Sequence, residues 1–437
     1  MPALLVLFTV QYPYGFAESF VEAELRELAA IFPKIMVQPV EGDAVVRRVP
    51  DNVVVAPPLK SGSHLHFYLS YLADGPAWSF FRREVLRQVR VAGLRWAVIR
   101  KTWMWACMRR ALEESTAVAL ALEAPASTVA YSYWGGVPAL AIPKLSRRGV
   151  PCAVRYHAGD LFLDFAGEKQ GLPWNEEVAE ASALSLCISE HARDYLLHVL
   201  GAFVGERVLV SRLGSPDHGR GPVPQSDDVL TIVSCSFITP RKRVPLMAAL
   251  LQEISKQRRV MWHHLGGGDD RELGPVLDRT DYPQFDYKLW GTVPHETIIS
   301  FFATNPVHLF VHLSTDEGIP VSIMEAISFD IPVVATDVGA VSEIVITGRS
   351  GLLVSLADSA DVERLAQRIL DALRPDGEIG RSRPREVWAE RFDAKRNHAE
   401  LAKALRALVP GDSSNATTSS ARSLYKLRSG VAGAADR

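Results

Sequence analysis

Two glutamates, Glu317 and Glu325, stand with seven residues between them in the stretch Thr315-Asp316-Glu317-Gly318-Ile319-Pro320-Val321-Ser322-Ile323-Met324-Glu325-Ala326-Ile327, directly after the apolar run Leu309–Val311. A helix beginning near Pro320, a residue tolerated in a first helical turn, would aim backbone N–H groups outward, and its dipole would favour an anion there. Glu325 would then lie about a turn and a half inside the helix, and Glu317 in the loop before it. Carboxylates accept hydrogen bonds in pairs and so suit vicinal hydroxyls, whereas they would repel a diphosphate at contact distance. The expected site is therefore a phosphate cradle with a sugar-binding carboxylate on either side. Either glutamate alone would more simply be a solvated or helix-pairing residue; the combination favours function.

Three further segments end on residues that could act with this site. Ser234-Cys235-Ser236-Phe237-Ile238-Thr239-Pro240-Arg241-Lys242-Arg243-Val244 puts a basic triplet after an apolar strand, where Lys242, helped by Arg241, could neutralise a leaving diphosphate. Val154-Arg155-Tyr156-His157-Ala158-Gly159-Asp160 ends a strand on His157, placed for sugar contact or proton management, since ligands bind at the carboxyl ends of parallel strands. Phe8-Thr9-Val10-Gln11-Tyr12-Pro13-Tyr14-Gly15-Phe16-Ala17-Glu18-Ser19-Phe20 reads as a strand, a loop and a helix start, with Gly15 where a ligand could approach bare backbone. No Gly-x-Gly-x-x-Gly fingerprint is present, which argues against nicotinamide chemistry.

The elements that must carry these residues alternate short β-branched runs with longer helical patterns, as parallel sheets with crossover helices do. Strands are expected at Ala3–Phe8, Ile35–Val40, Thr128–Ser132, Cys152–Tyr156, Ala183–Ile188 and Val208–Ser211 in the first half of the chain. In the second they are expected at Leu230–Cys235, Val260–Leu265, Tyr287–Trp290, Leu309–Val311, Pro332–Ala335 and Gly351–Val354. The Gly- and Pro-rich stretch between the halves predicts a division into 1–212, a linker 213–228 and a second domain 229–383. A helical segment 384–409 follows, and then a Ser/Ala/Gly-rich tail, 410–437, expected to be disordered. Asn415-Ala416-Thr417 matches a glycosylation triplet but is read as incidental.

With 437 residues, 48% of them hydrophobic and 22% charged, and a formal charge of -2, the chain suits a globular protein of two or more domains and gives no global reason to bind nucleic acid. The four cysteines fall in no metal-binding or redox spacing. The apolar stretch Ala3–Val10 has no basic residue before it and is too short to span a bilayer, so a buried strand is expected there rather than a signal segment.

The Glu317–Glu325 block, continued through Asp330-Ile331-Pro332-Val333-Val334-Ala335-Thr336-Asp337-Val338-Gly339-Ala340-Val341-Ser342-Glu343-Ile344-Val345, resembles the Glu-x7-Glu segment of retaining glycosyltransferases, especially glycosyltransferase family four. His157 resembles the family's His-Gly element, and Gly266-Gly267-Gly268-Asp269-Asp270 and Trp290-Gly291-Thr292-Val293-Pro294 resemble its later turns. Relatives usually carry an Arg where this chain has Phe237, for which Arg241 or Arg243 would have to substitute. The likeness runs over about residues 4 to 355 and is weakest between Gly42 and Ser127, in the half that holds the acceptor in family members.

This resemblance implies a GT-B architecture of two Rossmann-like parallel-sheet domains facing a cleft, with the last helix crossing back to the first domain. It implies donor contacts at Gly15, Arg241, Lys242, Val293, Glu317, Gly318, Ile319, Pro320, Val321 and Glu325, and catalytic roles for His157, Lys242 and Glu317. The expected reaction is transfer from a nucleotide sugar to a glycan or lipid-linked acceptor with retention, in bacterial exopolysaccharide or lipid-linked oligosaccharide assembly. No cofactor or metal is expected. The rival readings are a nucleotide-sugar epimerase or hydrolase on the same fold and a non-catalytic binding scaffold. Residues 80–110 hold nine Lys or Arg and the one acid Glu84, with Trp96, Trp103 and Trp105 among them. They could meet an anionic membrane, giving a cytoplasmic protein peripheral at the inner face of the cell membrane, or form a solvated basic face over buried aromatics.

Overall fold

A computed structural model describes residues 3–15, 18, 20–42, 47–60, 64–162, 174–226, 228–279 and 281–409. The expected disordered tail from Pro410, the Asn415 triplet, and Phe16, Ala17 and Ser19 of the first loop lie outside the described residues. The chain divides into two units, Met1–Ser211 with Lys395–Arg437, and Arg212–Ala394.

The first unit is built on seven strands: β1 (Leu4–Thr9), β2 (Lys34–Pro39), β3 (Val53–Val55), β4 (Thr128–Ser132), β5 (Cys152–Tyr156), β6 (Leu184–Cys187) and β7 (Val208–Val210). They pair in parallel in the order β3-β2-β1-β4-β5-β6-β7. Apart from the edge strand β3, where Val54 is exposed, the strands are largely buried on both faces, which is why they read as continuous apolar runs. On β1, Leu4, Val6 and Phe8 join one core cluster while Leu5 and Leu7 join the other. Helices Gly75–Ala92 and Trp96–Glu113 close the first cluster through Phe80, Trp105, Met108 and Leu112. Helices Val21–Ile31 and Ala394–Arg406 close the second through Leu25, Leu28, Leu401 and Leu405. The edge strand β3 was not expected; three residues are too few to show a period.

The second unit has six strands: β8 (Val229–Cys235), β9 (Arg259–Leu265), β10 (Phe285–Leu289), β11 (Leu309–His312), β12 (Val333–Thr336) and β13 (Gly351–Val354). They are parallel in the order β10-β9-β8-β11-β12-β13. In both sheets the chain works outward from one strand to an edge, then returns to that strand's other side. This Rossmann order creates a switch point between β1 and β4 and another between β8 and β11, where ligand-binding crevices form.

The helical pattern expected at 384–409 is two helices, Pro384–Arg391 and Ala394–Arg406, lying almost wholly in the second and first units respectively. The break is set by the stretch expected as a linker. Ser215 donates its N–H to Phe392 O at 3.0 Å and accepts from Ala394 N at 3.2 Å, and a Cβ on Gly214 would come within 2.5 Å of Phe392 O. Among its described residues the stretch 213–228 forms no helix or strand beyond the bridge of Ser215 to Asp393.

Candidate functional site

At the switch point of the second unit, Leu309 and Phe310 of β11 lie beside Ile232 and Val233 of β8, so the loops after these two strands start side by side. The β8 loop tightens into a turn at Pro240–Lys242 before Arg243, with φ 49°, redirects the chain into helix Val244–Ser255. The two loops are tied together: Thr315 N donates to Arg241 O at 2.9 Å and Arg243 Nε to Leu313 O at 2.6 Å. Arg243 also donates to Ser359 Oγ at 2.8 Å, so its guanidinium braces the loop. Phe237, where relatives usually carry an Arg, is 68% exposed.

This bracing brings Lys242 Nζ onto the carboxylate of Glu317, which is buried. His312, the last residue of β11, approaches the same oxygen from below, with Nε2 at 2.8 Å, and Ser314 Oγ lies 3.0 Å from that nitrogen. Burial would raise the Glu317 pKa, but the His312 hydrogen bond and the Lys242 charge more than offset it and hold the carboxyl at about 2. His312 itself is pushed down by burial, against the pull of Glu317 and with the neighbouring Lys242 and Arg241 charges adding to the effect. The arrangement is an ionised glutamate, one oxygen of which meets both the Lys242 nitrogen and the buried His312 imidazole.

The loop is held from the other side by the segment after β12. Thr336 Oγ1 donates to Ser314 O at 2.5 Å and Ala340 N to Gly318 O at 3.1 Å. Gly339, with φ 54°, passes so close that a Cβ there would sit 1.8 Å from Glu317 O. The helix after this loop is Val321–Ser328, with Pro320 at its N-cap, so Gly318, Ile319, Pro320 and Val321 lead directly into a first turn whose N–H groups have no helical carbonyl before them.

Glu325 is on that helix, buried, and its Oε1 lies 2.6 Å from His295 Nε2. His295 opens helix His295–Thr304, two residues after the half-buried Val293, in the turn whose Gly291 O accepts from Gly266 N at 3.0 Å. The hydrogen bond to Glu325 raises the His295 pKa despite partial burial. A raised imidazole pKa means the charged pair is fully formed below the ordinary value of about 6.5 and is lost as pH rises through the raised one. An NMR titration should therefore find the His295 midpoint above that ordinary value, and Glu325→Ala should bring it back down; a midpoint indifferent to Glu325 would show that the contact does not form.

The second unit thus gathers Arg241, Lys242, Glu317, Gly318 to Val321 and Glu325, with Val293 two residues from the His295 partner of Glu325. His157 and Gly15 belong to the first unit. There His157 follows β5 and caps helix Ala158–Leu161, its ring stacked with Tyr133 at 5.3 Å and packed on Trp134 at 4.2 Å. Burial, with the Arg155 charge behind it, lowers its pKa to about 3, so it is a neutral hydrogen-bonding group and not an acid at physiological pH. Asp160 accepts from the N–H groups of His157 and Gly135, each at 3.1 Å, and burial still raises its pKa to about 7. Gly15 has φ 62° and accepts from Arg47 Nε at 3.1 Å. The amides before it, of Val10, Gln11 and Tyr12, donate to Glu18 at 3.3, 2.5 and 2.5 Å, and the Trp134 indole donates to the same carboxylate.

Sequence reasoning did not find His312, His295, Glu18 or Asp160. His312 carried the signal that had picked out His157, a histidine at a strand end. His295 carried none, since an exposed residue at a helix start is unremarkable until Glu325 is seen beneath it. Among the described residues no group of three or more His, Cys, Asp or Glu side chains could hold a metal.

Two parallel Rossmann-like sheets of this order are the GT-B fold. Solved structures share it: Anabaena HepE in complex with UDP and glucose superimposes with a TM-score of 0.59 over 92% of this chain and 99% of that one, at 14% identity. Residues 229–374, which contain the site of the second unit, match the family described as Glycosyl transferases group 1. A phosphatidylinositol N-acetylglucosaminyltransferase component from Arabidopsis thaliana is 26% identical over 188 residues, 42% of this chain and 41% of that protein. The Salmonella typhimurium protein WcaL, provisionally assigned as a colanic acid biosynthesis glycosyltransferase, is 37% identical over 95 residues, 21% of this chain and 23% of that protein. The alignments therefore span about two fifths or less of these relatives' lengths.

Proposed function

We propose that this protein is a glycosyltransferase that moves a sugar from a nucleoside-diphosphate sugar to a glycan or lipid-linked acceptor with retention of configuration, in the assembly of a bacterial surface polysaccharide at the cytoplasmic face of the membrane. The observation that carries the reading is the buried, ionised Glu317 set between His312 and Lys242 at the switch point of the second sheet, beside a helix N-terminus. In this reading Glu325 accepts from the ribose hydroxyls and Val293 lies toward the base. The backbone of Gly318 to Val321 meets the phosphates and sugar, and Glu317 accepts from the transferred sugar. Lys242 and Arg241 neutralise the diphosphate as it leaves. The bond from the anomeric carbon to the diphosphate breaks with its electrons going to the phosphate oxygen. The acceptor hydroxyl bonds from the same face, and its proton passes to that oxygen, so no protein nucleophile is required. In the first unit, the neutral imidazole of His157 and the glycine backbone at Gly15 are suited to sugar and phosphate oxygens.

The family match over the second unit supports this reading, as do the UDP and glucose held by HepE and the polysaccharide assignment of WcaL. Ligand-observed NMR against UDP-, GDP-, ADP- and dTDP-sugars without added metal tests it. One donor class should bind, and Glu325→Ala should weaken it by about ten- to a hundred-fold, the worth of hydrogen bonds to a charged group. Unchanged affinity in that variant would remove Glu325 from the site. Release of free sugar or an epimer without acceptor would replace transfer by hydrolysis or epimerisation.

A further inference from the structure

The basic aromatic stretch of the first unit is a hairpin of helices Gly75–Ala92 and Trp96–Glu113, and the fold sorts its residues into two groups. One group faces inward. Trp103 packs on Trp78 at 4.6 Å and on Phe81 at 5.7 Å, and Trp105 packs on Trp174 at 4.5 Å. Arg109 makes a two-pronged pair with Glu177 at 2.9 and 3.0 Å, and Arg110 pairs with Asp74 at 3.0 and 3.1 Å. Trp103 and Arg110 tie the two helices of the hairpin to each other, while Trp105 and Arg109 hold the hairpin to the rest of the unit.

The other group faces out. Ser79, Arg82, Arg83, Leu86, Arg87 and Arg90 are all exposed, and their spacing puts them on one stripe of the first helix. The stripe runs into the turn, where Leu94 is 76% and Trp96 77% exposed with Arg95 between them; Leu86, on the stripe itself, is 63% exposed. Arg100 continues the exposed charge on the second helix. Glu84, the one acid between residues 80 and 110, is buried and lies 3.7 Å from Arg83 and 3.9 Å from Arg87. Among the described residues Arg82, Arg90, Arg95 and Arg100 form no ion pair. The tip is therefore an apolar wedge ringed by unbalanced arginines.

We propose that this hairpin tip docks the protein on an anionic phospholipid surface, with Leu94 and Trp96 entering the headgroup boundary and the arginines lying on lipid phosphates. Arginines alone would suit a nucleic acid equally, but an exposed leucine beside an exposed tryptophan finds no use on a phosphate backbone and a direct one at the edge of acyl chains. A second copy docking symmetrically on this patch would set its arginines against identical arginines. The proposal deepens the transferase reading, since it would bring the protein to a lipid-linked acceptor, and only that consequence rests on the reading.

The test is flotation of the full chain with vesicles of phosphatidylglycerol and phosphatidylcholine, compared with phosphatidylcholine alone. Binding should favour the anionic vesicles strongly and fall as salt rises, and Arg82→Gln, Arg90→Gln, Arg95→Gln or Arg100→Gln should each weaken it roughly five-fold. Leu94→Ser with Trp96→Ser, both outside the core, should abolish it with the melting temperature and nucleotide-sugar binding unchanged. Equal binding to both vesicle types, no vesicle binding, retention on an oligonucleotide in place of vesicles, or a concentration-dependent dimer lost in the Leu94/Trp96 variant would each overturn the proposal. Vesicle binding without nucleotide-sugar binding would sink the transferase reading and leave the docking intact.

Discussion

On the transferase reading proposed above, Lys242→Met should lower the turnover of sugar transfer by about 10²–10³-fold, the usual consequence of removing one preorganised group that meets developing charge in a transition state. Binding of the nucleoside monophosphate, which lacks the terminal phosphate of the leaving group, should change little. The expectation follows from where the fold puts the ammonium. The Pro240–Lys242 turn and the Arg243 brace fix the β8 loop, so the lysine waits in place against Glu317 before any ligand arrives. Removing it also changes the carboxylate. Glu317 is held at about 2, so its contribution to stability is complete above the ordinary carboxylate pKa of about 4.3 and is lost as pH falls through about 2. In Lys242→Met only the His312 hydrogen bond still supports it, so its titration, followed by NMR of labelled glutamate, should move up. Unchanged turnover with an unchanged Glu317 titration would refute both the catalytic and the electrostatic assignment.

Arg155→Met should destabilise the first unit by about 3–5 kcal/mol, the effect of leaving one member of a fully buried ion pair alone. Arg155 and Glu24 are paired with side chains 0% and 1% exposed, and their other contacts also lie in the core. Arg155 donates to Ser211 Oγ at 3.2 Å, Tyr131 OH donates to Glu24 at 2.9 Å, and His398 of helix Ala394–Arg406 lies 3.8 Å from the same carboxylate. Glu24→Leu combined with Arg155→Met should recover much of the loss, since the desolvation cost of both charges disappears together. Hydrogen exchange is the right measurement, because a chain of two units need not unfold in one step. Faster exchange should appear in β5 and in helix Ala394–Arg406 for the single variant and be largely reversed in the double one. A double variant no better than the single would show that the pair contributes net attraction and not merely mutual neutralisation.

Much of this molecule was legible before folding. A parallel strand buried on both faces has to be a short apolar run, and a ligand loop after it has to change composition abruptly, so most of the strands among the described residues and the loops bearing Lys242, His157 and Glu317 stood out in the sequence. The helix after Pro320 was marked in the same local way, by a proline that suits a helix start. The break in the helical pattern near Phe392 was not legible, because its cause is Gly214 and Ser215, far away in the chain.

The site divides along the same line. The residue types that could bind a nucleotide sugar, and their spacing around one strand and one helix, are local properties, and the sequence by itself determined them. Which charges face which is a property of strand order. β8 and β11 are separated by two intervening strands in the chain but are neighbours in the sheet, and that adjacency puts Lys242 on Glu317 and fixes the carboxylate's ionisation. His295 and Glu325 meet although β10 and β11, the strands before their helices, are not neighbours in the sheet, so this contact too depends on tertiary packing. In the hairpin, composition showed nine cations and three tryptophans, and only packing separated Trp103, Trp105, Arg109 and Arg110, which are internal, from Trp96 and the outward arginines. Spacing along the chain determines what a loop or a helix face carries; burial and pairing depend on what the rest of the chain brings against it, and only the tertiary structure decides that.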